Sequence, residues 1–487
     1  MSLDLVKTIV LGYFNASIYF FFSVNSLYLL LLVIAVFSIR RQMHSRLLIE
    51  SLNQRFLVFA PGISVLAPAY NEEATIVESI KSFLMLEYSR FEIIVINDGS
   101  KDQTLARMKE AFLLEEHEFF YDSGLSDTKV RGTYRSRLHP NLIVVDKENG
   151  GKADALNVGI GFAQYDIFCA VDSDSLLETD ALKRIVIPFI QEPEITIASG
   201  GTIRIANGST IEHGRVKTAA LPSKFLPLMQ VIEYTRSFLC GRIGWNAFNA
   251  TLVISGAFGL FSKSAIKAIG GYQEGSVGED MELVVRIHRH YRLRREPYQV
   301  VFVPDPVCWT EAPESRAVLG RQRNRWQRGL AEVLFKNRDM IFNPRYGFIG
   351  LVALPYFLFV ELLGPVIEVV SLVCLAIGAG LGFLDRETMV IYFVAGVFYG
   401  ILMNIASILM GEVYFSKYPR TRQFAALVLV SFMEAIGYRQ LTIKWRLQGL
   451  WGFLRGEKTW GAMNRVGFGT VKPVAAKARE SEDRRAS

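Results

Sequence analysis

The sequence predicts a Rossmann-like α/β domain with a doubly wound parallel sheet, combined with an α-helical transmembrane region. Apolar strand-like runs alternate with helix-like segments between residues 60 and 310, which is typical of a parallel sheet covered on both faces. Long apolar runs lie on either side of this more polar middle, and 51% of the 487 residues are hydrophobic. This length is sufficient for two or three domains.

Four strands are predicted from short, continuous apolar runs. The strands are expected at 63–68, 92–96, 142–145 and 167–171. Helices are expected at 72–86, 103–111 and 153–162. The polar, charged stretch 112–138 is interpreted as an excursion between two units of the fold.

The N-terminal apolar run predicts one membrane helix near residues 17–39. The run is long enough to span a bilayer, and it lacks the basic start and the cleavage site of a signal peptide. Arg40 and Arg41 follow it, so the next segment is expected on the cytoplasmic side.

Three apolar stretches follow the α/β domain. Residues 348–383, which a proline and a Gly-Pro pair divide, predict an interfacial helix and then a spanning helix. Residues 388–410 predict a second span. Residues 423–443 predict a third, which Glu434 and Arg439 weaken because charged side chains are costly in a bilayer.

The formal net charge of +7 is concentrated beside the apolar runs. A basic excess attracts nucleic acid, anionic lipid or an anionic substrate, and its position here favours membrane lipid and argues against nucleic acid. The residues concerned are Arg40, Arg41, Arg46, Lys417, Arg420, Arg422, Lys444 and Arg446. The four cysteines are far apart, without histidines at metal-binding spacing, and are interpreted as small buried side chains.

Asp98 and Lys152 lie in loops at expected strand ends, where open α/β sheets bind ligands. Asp98 stands in an Asn-Asp-Gly-Ser sequence, which taken alone is better explained as a turn. Lys152 follows two glycines. Backbone N–H groups at such glycines can approach a phosphate and the lysine adds a positive charge, but a plain glycine-rich turn is a fair alternative.

Asp172 and Asp174 directly follow the strand expected at 167–171. Two carboxylates at this spacing reach one hard cation, and Mg²⁺ or Mn²⁺ commonly shares such ligands with substrate phosphates. The alternative, that Asp174 or Ser175 caps the next helix, carries equal weight.

Asp280 lies in a Gly-Glu-Asp sequence after a glycine-rich stretch. A carboxylate at the mouth of a pocket can act as a general base toward a sugar hydroxyl. Taken alone, the acidic cluster is better explained as the N-terminal cap of a helix over 281–290. His288 and His290 lie in a basic run and are interpreted as solvated.

A helix expected at 316–336 contains the sequence Gln-Arg-Asn-Arg-Trp. Gln322, Arg325 and Trp326 are spaced i, i+3 and i+4, so they share one face. The guanidinium of Arg325 can fork onto a diphosphate, and the Trp326 ring can stack on a sugar. An amphipathic helix at the membrane surface is the alternative for an isolated match.

The combination is more specific than any of its parts. In chain order it consists of Asp98, Lys152, Asp172 with Asp174, Asp280, and then Gln322, Arg325 and Trp326 before the membrane helices. Over roughly residues 60–410 the sequence resembles the processive family-2 glycosyltransferases of the GT-A fold. That family includes the cellulose, hyaluronan, chitin and poly-N-acetylglucosamine synthases.

The resemblance implies a role for each matching residue. Asp280 resembles the catalytic general base, and Asp172 with Asp174 resembles the pair that binds Mg²⁺ or Mn²⁺. The residues that match the nucleotide-sugar site are Tyr70, Glu72, Asp98, Lys152, Asp172, Gln322, Arg325 and Trp326. The residues that match the acceptor site are Ser255, Gly256 and Trp326.

Two departures from the family pattern are visible. Gly278 stands where the family has a threonine before Glu279 and Asp280. Only 27 residues follow Trp460, too few for the nucleotide-sensing barrel of bacterial cellulose synthases, so regulation through such a barrel is not expected.

The expected organisation has five parts. They are an N-terminal transmembrane helix (1–45), a cytoplasmic GT-A domain (46–315), an interface helix and link (316–347), transmembrane and interfacial helices (348–460) and a polar tail (461–487).

The resemblance implies an inverting, processive glycosyltransferase in the bacterial inner membrane. It would polymerise sugar from UDP-glucose or UDP-N-acetylglucosamine into an exported β-linked polysaccharide. The growing polymer or a lipid would be the acceptor, and accessory export subunits would be partners. One alternative is a non-processive transferase that glycosylates a lipid carrier. A second is a transporter or membrane scaffold with a degenerate domain, which predicts no transfer from a nucleotide-sugar.

Overall fold

The computed structural model describes residues 2–51, 60–212, 215–415 and 421–457. In these ranges ten strands form one mixed sheet, and two further strands form a small antiparallel pair. The strands are β1 (Ile63–Ala69), β2 (Phe91–Asp98), β3 (Leu114–Glu116), β4 (Val130–Ser136), β5 (Leu142–Lys147), β6 (Ile167–Val171), β7 (Leu176–Leu177), β8 (Thr196–Ile205), β9 (Thr210–Glu212), β10 (Arg215–Thr218), β11 (Phe258–Ser262) and β12 (Gln299–Thr310).

Helices lie on both sides of the sheet and at both ends of the described chain. The α-helices are Leu3–Ser51, Ile76–Leu84, Thr104–Phe112, Lys152–Phe162, Ala181–Ile185, Ile187–Gln191, Phe225–Thr235, Ile243–Asn246, Lys263–Ala268, Glu279–Arg294, Arg316–Lys336, Leu354–Tyr356, Gly364–Gly380, Arg386–Phe393, Tyr399–Phe415, Thr421–Met433 and Arg439–Leu454. Wider π-type turns form Arg236–Arg242, Ile349–Ala353, Phe357–Leu362, Val394–Phe398 and Glu434–Tyr438, and 3-10 turns form Arg338–Met340 and Pro344–Tyr346.

The four predicted strands are neighbours in the sheet. The order is β3-β4-β5-β2-β1-β6-β11-β8-β12-β7, in which β5, β2, β1 and β6 run parallel. Side chains alternate between the two faces, so Val65 and Val95 pack in one core layer and Leu66 and Ile94 in the other. Because both faces are covered, these strands need continuous apolar runs, which made them predictable.

The four predicted strands are parallel as expected, but the sheet becomes mixed beyond β6. Strand β11 pairs antiparallel with both β6 and β8. The chain leaves β8 at the edge of the sheet where β6 ends and passes through the helical residues 225–246. It then re-enters from that same edge, so β11 runs in the opposite direction.

Two local predictions are refined by the structure. The stretch 112–138 extends the sheet. Its strands β3 and β4 continue the sheet beyond β5 in antiparallel pairing. The first helix after β1 begins at Ile76, not at residue 72. Asn71 has a left-handed φ of 54°, and the residues after it form a turn before the helix.

Three described helices are long and apolar enough to cross a membrane. They are Leu3–Arg41, Arg386–Phe415 and Arg422–Leu454. A bent pair, Ile349–Leu362 with Gly364–Gly380, meets at 47° and has the length of a broken span or a re-entrant segment. Each predicted apolar stretch falls in one of these helices, but the first lies inside one longer helix, Leu3–Ser51.

The N-terminal helix packs against the sheet domain and the later helices. Leu32, Ala35 and Ile39 belong to the core of the sheet domain. Nearer the N-terminus, the Phe14 ring stacks on Tyr392 with ring centroids 4.8 Å apart. The membrane helices and the sheet domain therefore share one continuous packing.

Some predictions lie outside the described residues. They concern Lys417, Arg420, the side chain of Arg46 and the tail 461–487. The four cysteines are described, and all are buried as predicted.

Candidate active site

The loops that follow β1 and β2 form one rim of the site. The Asn71 N–H donates to Ser100 Oγ at 3.0 Å and so joins the two loops. Tyr70 is 45% exposed on this rim. The Glu72 carboxylate accepts from the Thr75 hydroxyl at 2.8 Å. The Tyr70 ring is therefore accessible to a ligand, whereas Glu72 belongs to the turn after β1.

Asp98, at the end of β2, holds the glycine loop in place. Its carboxylate accepts the N–H groups of Gly150 at 2.9 Å and Gly151 at 2.8 Å, and it pairs with Lys147 Nζ at 2.5 Å. Lys147 Nζ also lies 2.5 Å from Asp154. The two glycine N–H groups thus bind Asp98 and not a phosphate, which corrects that expectation. Asp98 has a positioning role here, and its contact with a nucleoside stays a prediction.

Lys147 and Asp154 are site residues that sequence reasoning missed. Lys147 is fully buried, and Asp154 is 1% exposed. The one signal for Lys147 is a lysine at the end of an apolar strand. A buried charge of this kind is strongly destabilising if its partner is removed, so the three groups fix the loop and the start of helix Lys152–Phe162 together.

Lys152 lies among three carboxylates. Its Nζ is 2.7 Å from Asp172 Oδ1 and 3.5 Å from Glu279 Oε1. Asp280 approaches the same point, since a Cβ added to Gly256 would lie 2.4 Å from Asp280 Oδ1 and 2.6 Å from Lys152 Nζ. The structure therefore brings together Lys152, Asp172 and Asp280, and it adds Glu279. These four residues form the Lys152 cluster.

Gly256 orients the carboxylate of Asp280. Its N–H donates to Asp280 Oδ2 at 3.0 Å. The neighbouring Ser255 Oγ accepts from the Ala257 N–H at 3.4 Å. The segment predicted as an acceptor contact is therefore in direct contact with the predicted base, and a side chain at position 256 would displace the ends of Asp280 and Lys152.

The Lys152 cluster carries an excess of negative charge. Burial raises the pKa of Asp280 and of Glu279; Lys152 opposes this rise and the nearby Asp172 adds to it. Burial disfavours the charged form of Lys152, but the carboxylates around it raise its pKa well above the ordinary value. Competition of several acids for one cation is a common origin of shifted pKa values at functional sites.

The departure at Gly278 has a packing explanation. A Cβ on Gly278 would lie 3.0 Å from backbone atoms of Gly329, and a Cβ on Gly329 would lie 2.8 Å from Gly278 Cα. The two backbones therefore touch. This contact sets the helix Arg316–Lys336 directly against the segment that carries Asp280.

Gln322, Arg325 and Trp326 lie on the predicted helix Arg316–Lys336. The Oε1 atom of Gln322 is buried without a hydrogen-bond partner in the described part of the chain. The positive charge of Arg325 lowers the pKa of the two acids of the Lys152 cluster that burial raises, so Arg325 lies near them. Trp326 is 44% exposed and is free to contact a ligand.

Arg323 supports Trp326 from beneath and was missed by sequence reasoning. Its guanidinium carbon lies 4.2 Å from the centre of the Trp326 ring. Its Nη2 donates to Glu233 at 2.8 Å, and the Tyr438 hydroxyl donates to the same carboxylate at 2.9 Å. Trp326 is thereby connected to the helices of the membrane region.

Asp172 and Asp174 suit a divalent cation whose remaining ligands come from a substrate. The side chain of Asp172 is 30% exposed, and Asp174 is 3% exposed. Among the described residues, no three or more His, Cys, Asp or Glu side chains form a metal-binding group. Two carboxylates supply oxygen ligands of the kind that Mg²⁺ accepts, and phosphate oxygens commonly take further positions.

The prediction that His288 is solvated is wrong. The side chain is fully buried, with Nδ1 2.7 Å from the Tyr298 hydroxyl and Nε2 2.9 Å from the Thr251 carbonyl oxygen. Burial lowers the pKa of His288 to about 4, so it is neutral at pH 7. The basic run is one face of an amphipathic helix, and His288 lies on the opposite face.

A cavity of about 380 Å³ lies between the sheet domain and the membrane helices. Its wall includes Thr251, Leu252 and Val253, which lead to the Ser255–Gly256 segment, and Arg323 beneath Trp326. Aromatic, aliphatic and charged residues of the helices form the rest of its wall. The wall of this membrane cavity therefore reaches Val253, on the segment that continues to Gly256, whose N–H binds Asp280.

The fold and the site define a class of protein. GT-A glycosyltransferases have a Rossmann-like sheet that becomes mixed beyond its parallel centre. They also carry an acidic pair after a central strand. The chain belongs to glycosyltransferase family 2. Residues 64–124 match the family model described as glycosyl transferase family 2, and residues 126–329 match glycosyltransferase like family 2. Together the matches cover more than half of the chain.

Two curated relatives of this chain are both described as poly-β-1,6-N-acetyl-D-glucosamine synthases. The chain is similar to the poly-β-1,6-N-acetyl-D-glucosamine synthase of Staphylococcus aureus strain COL, with 32% identity over 278 residues, 57% of this chain and 56% of the relative. The protein of that name from Staphylococcus epidermidis is 31% identical over 313 residues, 64% of each chain. The chain therefore spans a little over half of the length of these relatives.

Two solved structures are similar at low identity. A mannosyltransferase from Pyrobaculum calidifontis in complex with GDP-Man and Mn²⁺ has a TM-score of 0.48 at 17% identity, over 84% of this chain and 99% of its own. Staphylococcus aureus TarS in complex with UDP-GlcNAc has a TM-score of 0.36 at 16% identity, over 78% of this chain and 92% of its own.

Proposed function

We propose that the chain transfers N-acetylglucosamine from UDP-N-acetylglucosamine, with inversion, onto a growing β-linked polysaccharide that crosses the membrane. The observation that carries this proposal is the convergence of Lys152, Asp172 and Asp280 beside the membrane cavity. The choice of sugar rests on the similarity to poly-β-1,6-N-acetyl-D-glucosamine synthases.

Asp280 is the general base in this proposal. The Gly256 N–H orients its carboxylate, which takes a proton from the acceptor hydroxyl as that hydroxyl attacks the anomeric carbon. A single displacement inverts the anomeric configuration. A carboxylate nucleophile of the kind that retaining glycosidases use is not required.

Lys152 and Arg325 stabilise the leaving diphosphate. Lys152 Nζ lies beside Asp172, and Arg325 lies near the acids of the same cluster. Positive charge is therefore fixed where the diphosphate separates from the sugar. Asp98 contributes indirectly, because it holds the loop that precedes Lys152.

Asp172 and Asp174 would hold Mg²⁺ or Mn²⁺. When bound, the cation supplies positive charge to the diphosphate oxygens. Lys152 keeps the Asp172 carboxylate at the mouth of the site at 2.7 Å, and the buried Asp174 carboxylate is held in place by the surrounding core. The protein part of the site is therefore formed before the donor arrives.

The remaining predicted site residues surround these groups. In this proposal Tyr70 and Glu72 border the nucleotide base, Gln322 contacts the donor, and Trp326 forms a platform for the acceptor sugar with the Ser255–Gly256 segment. Trp326 suits this role because its ring is 44% exposed.

The chain is proposed to be a multi-pass protein of the bacterial inner membrane with residues 46–315 in the cytoplasm. Arg40 and Arg41 after the first membrane helix support this orientation. The interface helix and link, 316–347, connect the catalytic domain to the helices of 348–460. Membrane lipid and accessory export subunits are the proposed partners.

The test uses the purified full chain with a panel of UDP-sugars, with UDP release, product length and anomeric configuration as readouts. We expect UDP release with UDP-N-acetylglucosamine and long β-linked products. Single additions to a lipid carrier would support the non-processive alternative. No UDP release with any donor would contradict the enzymatic proposal and support a scaffold or transporter.

A further inference from the structure

Arg242 is an unpaired cation in the wall of the membrane cavity. Its Nη1 atom is buried, and within the described ranges it has neither a hydrogen-bond partner nor an ion-pair partner. The guanidinium carbon lies 4.0 Å from the centre of the Phe238 ring, an aromatic face that attracts and orients a cation. A buried donor without an acceptor is costly, so the arrangement points to a ligand that supplies one.

The other arginines of the cavity differ from Arg242, since each has a carboxylate partner. The pairs are Arg236–Glu434 at 3.8 Å, Arg323–Glu233 at 2.8 Å, Arg439–Glu368 at 2.8 Å and Arg446–Glu361 at 3.3 Å. The lining therefore contains four glutamates and five arginines. Arg242 is the cation left over in this part of the described chain.

The space beside Arg242 is open. A Cβ added to Gly241 would meet no atom of the described residues within 4 Å, and Gly241 lines the same cavity. The wall continues through Thr251–Val253 toward Gly256, whose N–H binds Asp280. An acceptor chain with its end at Asp280 therefore extends past Arg242 into the cavity.

We propose that Arg242 donates a hydrogen bond to an acetamido carbonyl oxygen of the acceptor glycan and makes the cavity selective for N-acetylated over de-N-acetylated glycan. This proposal rests on the proposed function. A guanidinium has only donors to offer, so it suits a carbonyl oxygen. It also repels the ammonium group that replaces the acetamide after deacetylation.

A neutral glycan is favoured over an anion as the occupant because of where the cavity leads. One end adjoins the Lys152 cluster, in which carboxylates outnumber the lysine. An anionic ligand that reached this end without a divalent cation would be repelled by these carboxylates. Burial lowers the pKa of Arg242 to about 10, which leaves the group charged, and able to reject an ammonium, at pH 7.

The test measures calorimetric binding of a β-1,6-linked N-acetylglucosamine tetrasaccharide and of its free-amine form to the purified full chain in detergent. We expect the unmodified chain to prefer the acetylated form. Arg242→Gln should weaken that binding about tenfold, as expected for a lost hydrogen bond to a charged group, and should remove the preference. Arg242→Lys keeps the charge, so it should still reject the amine.

Two further variants separate a binding role from a structural one. Gly241→Leu fills the open space and should weaken binding of both tetrasaccharides. Arg137→Gln removes an exposed arginine that lies 3.8 Å from Glu115 and should change neither. If Arg242→Gln does not fold, Arg242→Lys and Gly241→Leu still decide the question.

The outcomes also separate this proposal from the proposed function. Unchanged binding and unchanged preference in folded Arg242 variants would overturn the role of Arg242, even if the chain consumes UDP-N-acetylglucosamine. Arg242-dependent glycan binding without consumption of that donor would overturn the proposed reaction only. Binding of phosphatidylglycerol vesicles in place of the glycan, lost in Arg242→Gln, would identify a phosphate ligand and overturn the proposal.

Discussion

Charges are buried in two neighbouring regions of this protein, and they are balanced in different ways. In the membrane cavity each of four glutamates has its own arginine, and Arg242 is the arginine left over among the described residues of its wall. In the Lys152 cluster three carboxylates share one lysine. Paired charges hold helices together and need no further ligand. Unbalanced charges shift pKa values and need a ligand. The local balance of charge therefore distinguishes residues that support the fold from residues that take part in binding or reaction.

The largest expected effect is that of Asp280→Asn. The amide keeps the shape of the side chain but cannot accept a proton, so transfer should fall by about 10²–10⁴-fold, while UDP binding is retained. Turnover and calorimetric UDP binding are the measurements. Asp122→Asn, at an exposed carboxylate paired with Lys267, is the matched control. Near-normal turnover in Asp280→Asn would contradict this role and indicate Glu279 as the general base.

Removal of divalent cations should lower transfer by roughly a hundredfold, because the leaving diphosphate loses several kcal/mol of charge stabilisation. Addition of Mn²⁺ or Mg²⁺ after EDTA treatment should restore the rate. Asp174→Asn should lose Mn²⁺ binding, measured by electron paramagnetic resonance in the presence of UDP. Full activity in EDTA would show that Lys152 and Arg325 suffice at the diphosphate.

Trp326→Ala should reduce polymer yield by about tenfold, in line with the loss of one aromatic contact. It also removes the ring that covers Arg323. UDP binding and the thermal midpoint should change little. Trp451→Ala is the control, since Trp451 is also exposed, at 57%. Normal polymer yield per folded molecule would contradict the assignment of Trp326 to the acceptor site.

Burial raises the pKa of Asp280, so the acid limb of the kcat/KM profile should lie above the pH at which an ordinary aspartate titrates. The base must be ionised, so turnover rises with pH through the raised pKa. Stability has the opposite sign. The folded state holds the proton more tightly, so this contribution is present at low pH and is lost as pH rises through the raised pKa. A limb at the ordinary value would contradict the burial argument.

The smallest effect on catalysis is expected from Glu368→Gln in the membrane cavity. It breaks a two-pronged pair with Arg439 and should lower stability by roughly 1–2 kcal/mol, less than a fully buried pair because Arg439 is 32% exposed. Thermal midpoint and UDP release are the measurements. Glu78→Gln, in an exposed pair with Lys81, should change neither. A large loss of turnover at a normal midpoint would mean that these pairs act on substrate.

Local signals predicted those parts of the site that depend on one segment of chain. Asp172 and Asp174 follow an apolar strand, and the spacing of Gln322, Arg325 and Trp326 fixes one helix face. Contacts between distant segments were not predictable in this way. The bond from Arg323 to Glu233 joins residues 90 positions apart, and His288 meets Thr251 across 37 positions.

The sequence by itself determined the parallel centre of the sheet, the apolar helices and the order of the site motifs. These depend on periodicity and on runs of apolar residues, which are local properties of the chain. Only the tertiary structure decided that β11 runs antiparallel, that Asp98 holds the glycine loop, and that Arg242 has no carboxylate partner among the described residues. Each of these depends on which distant groups meet in space. Whether a charge is paired is therefore settled only when the chain has folded.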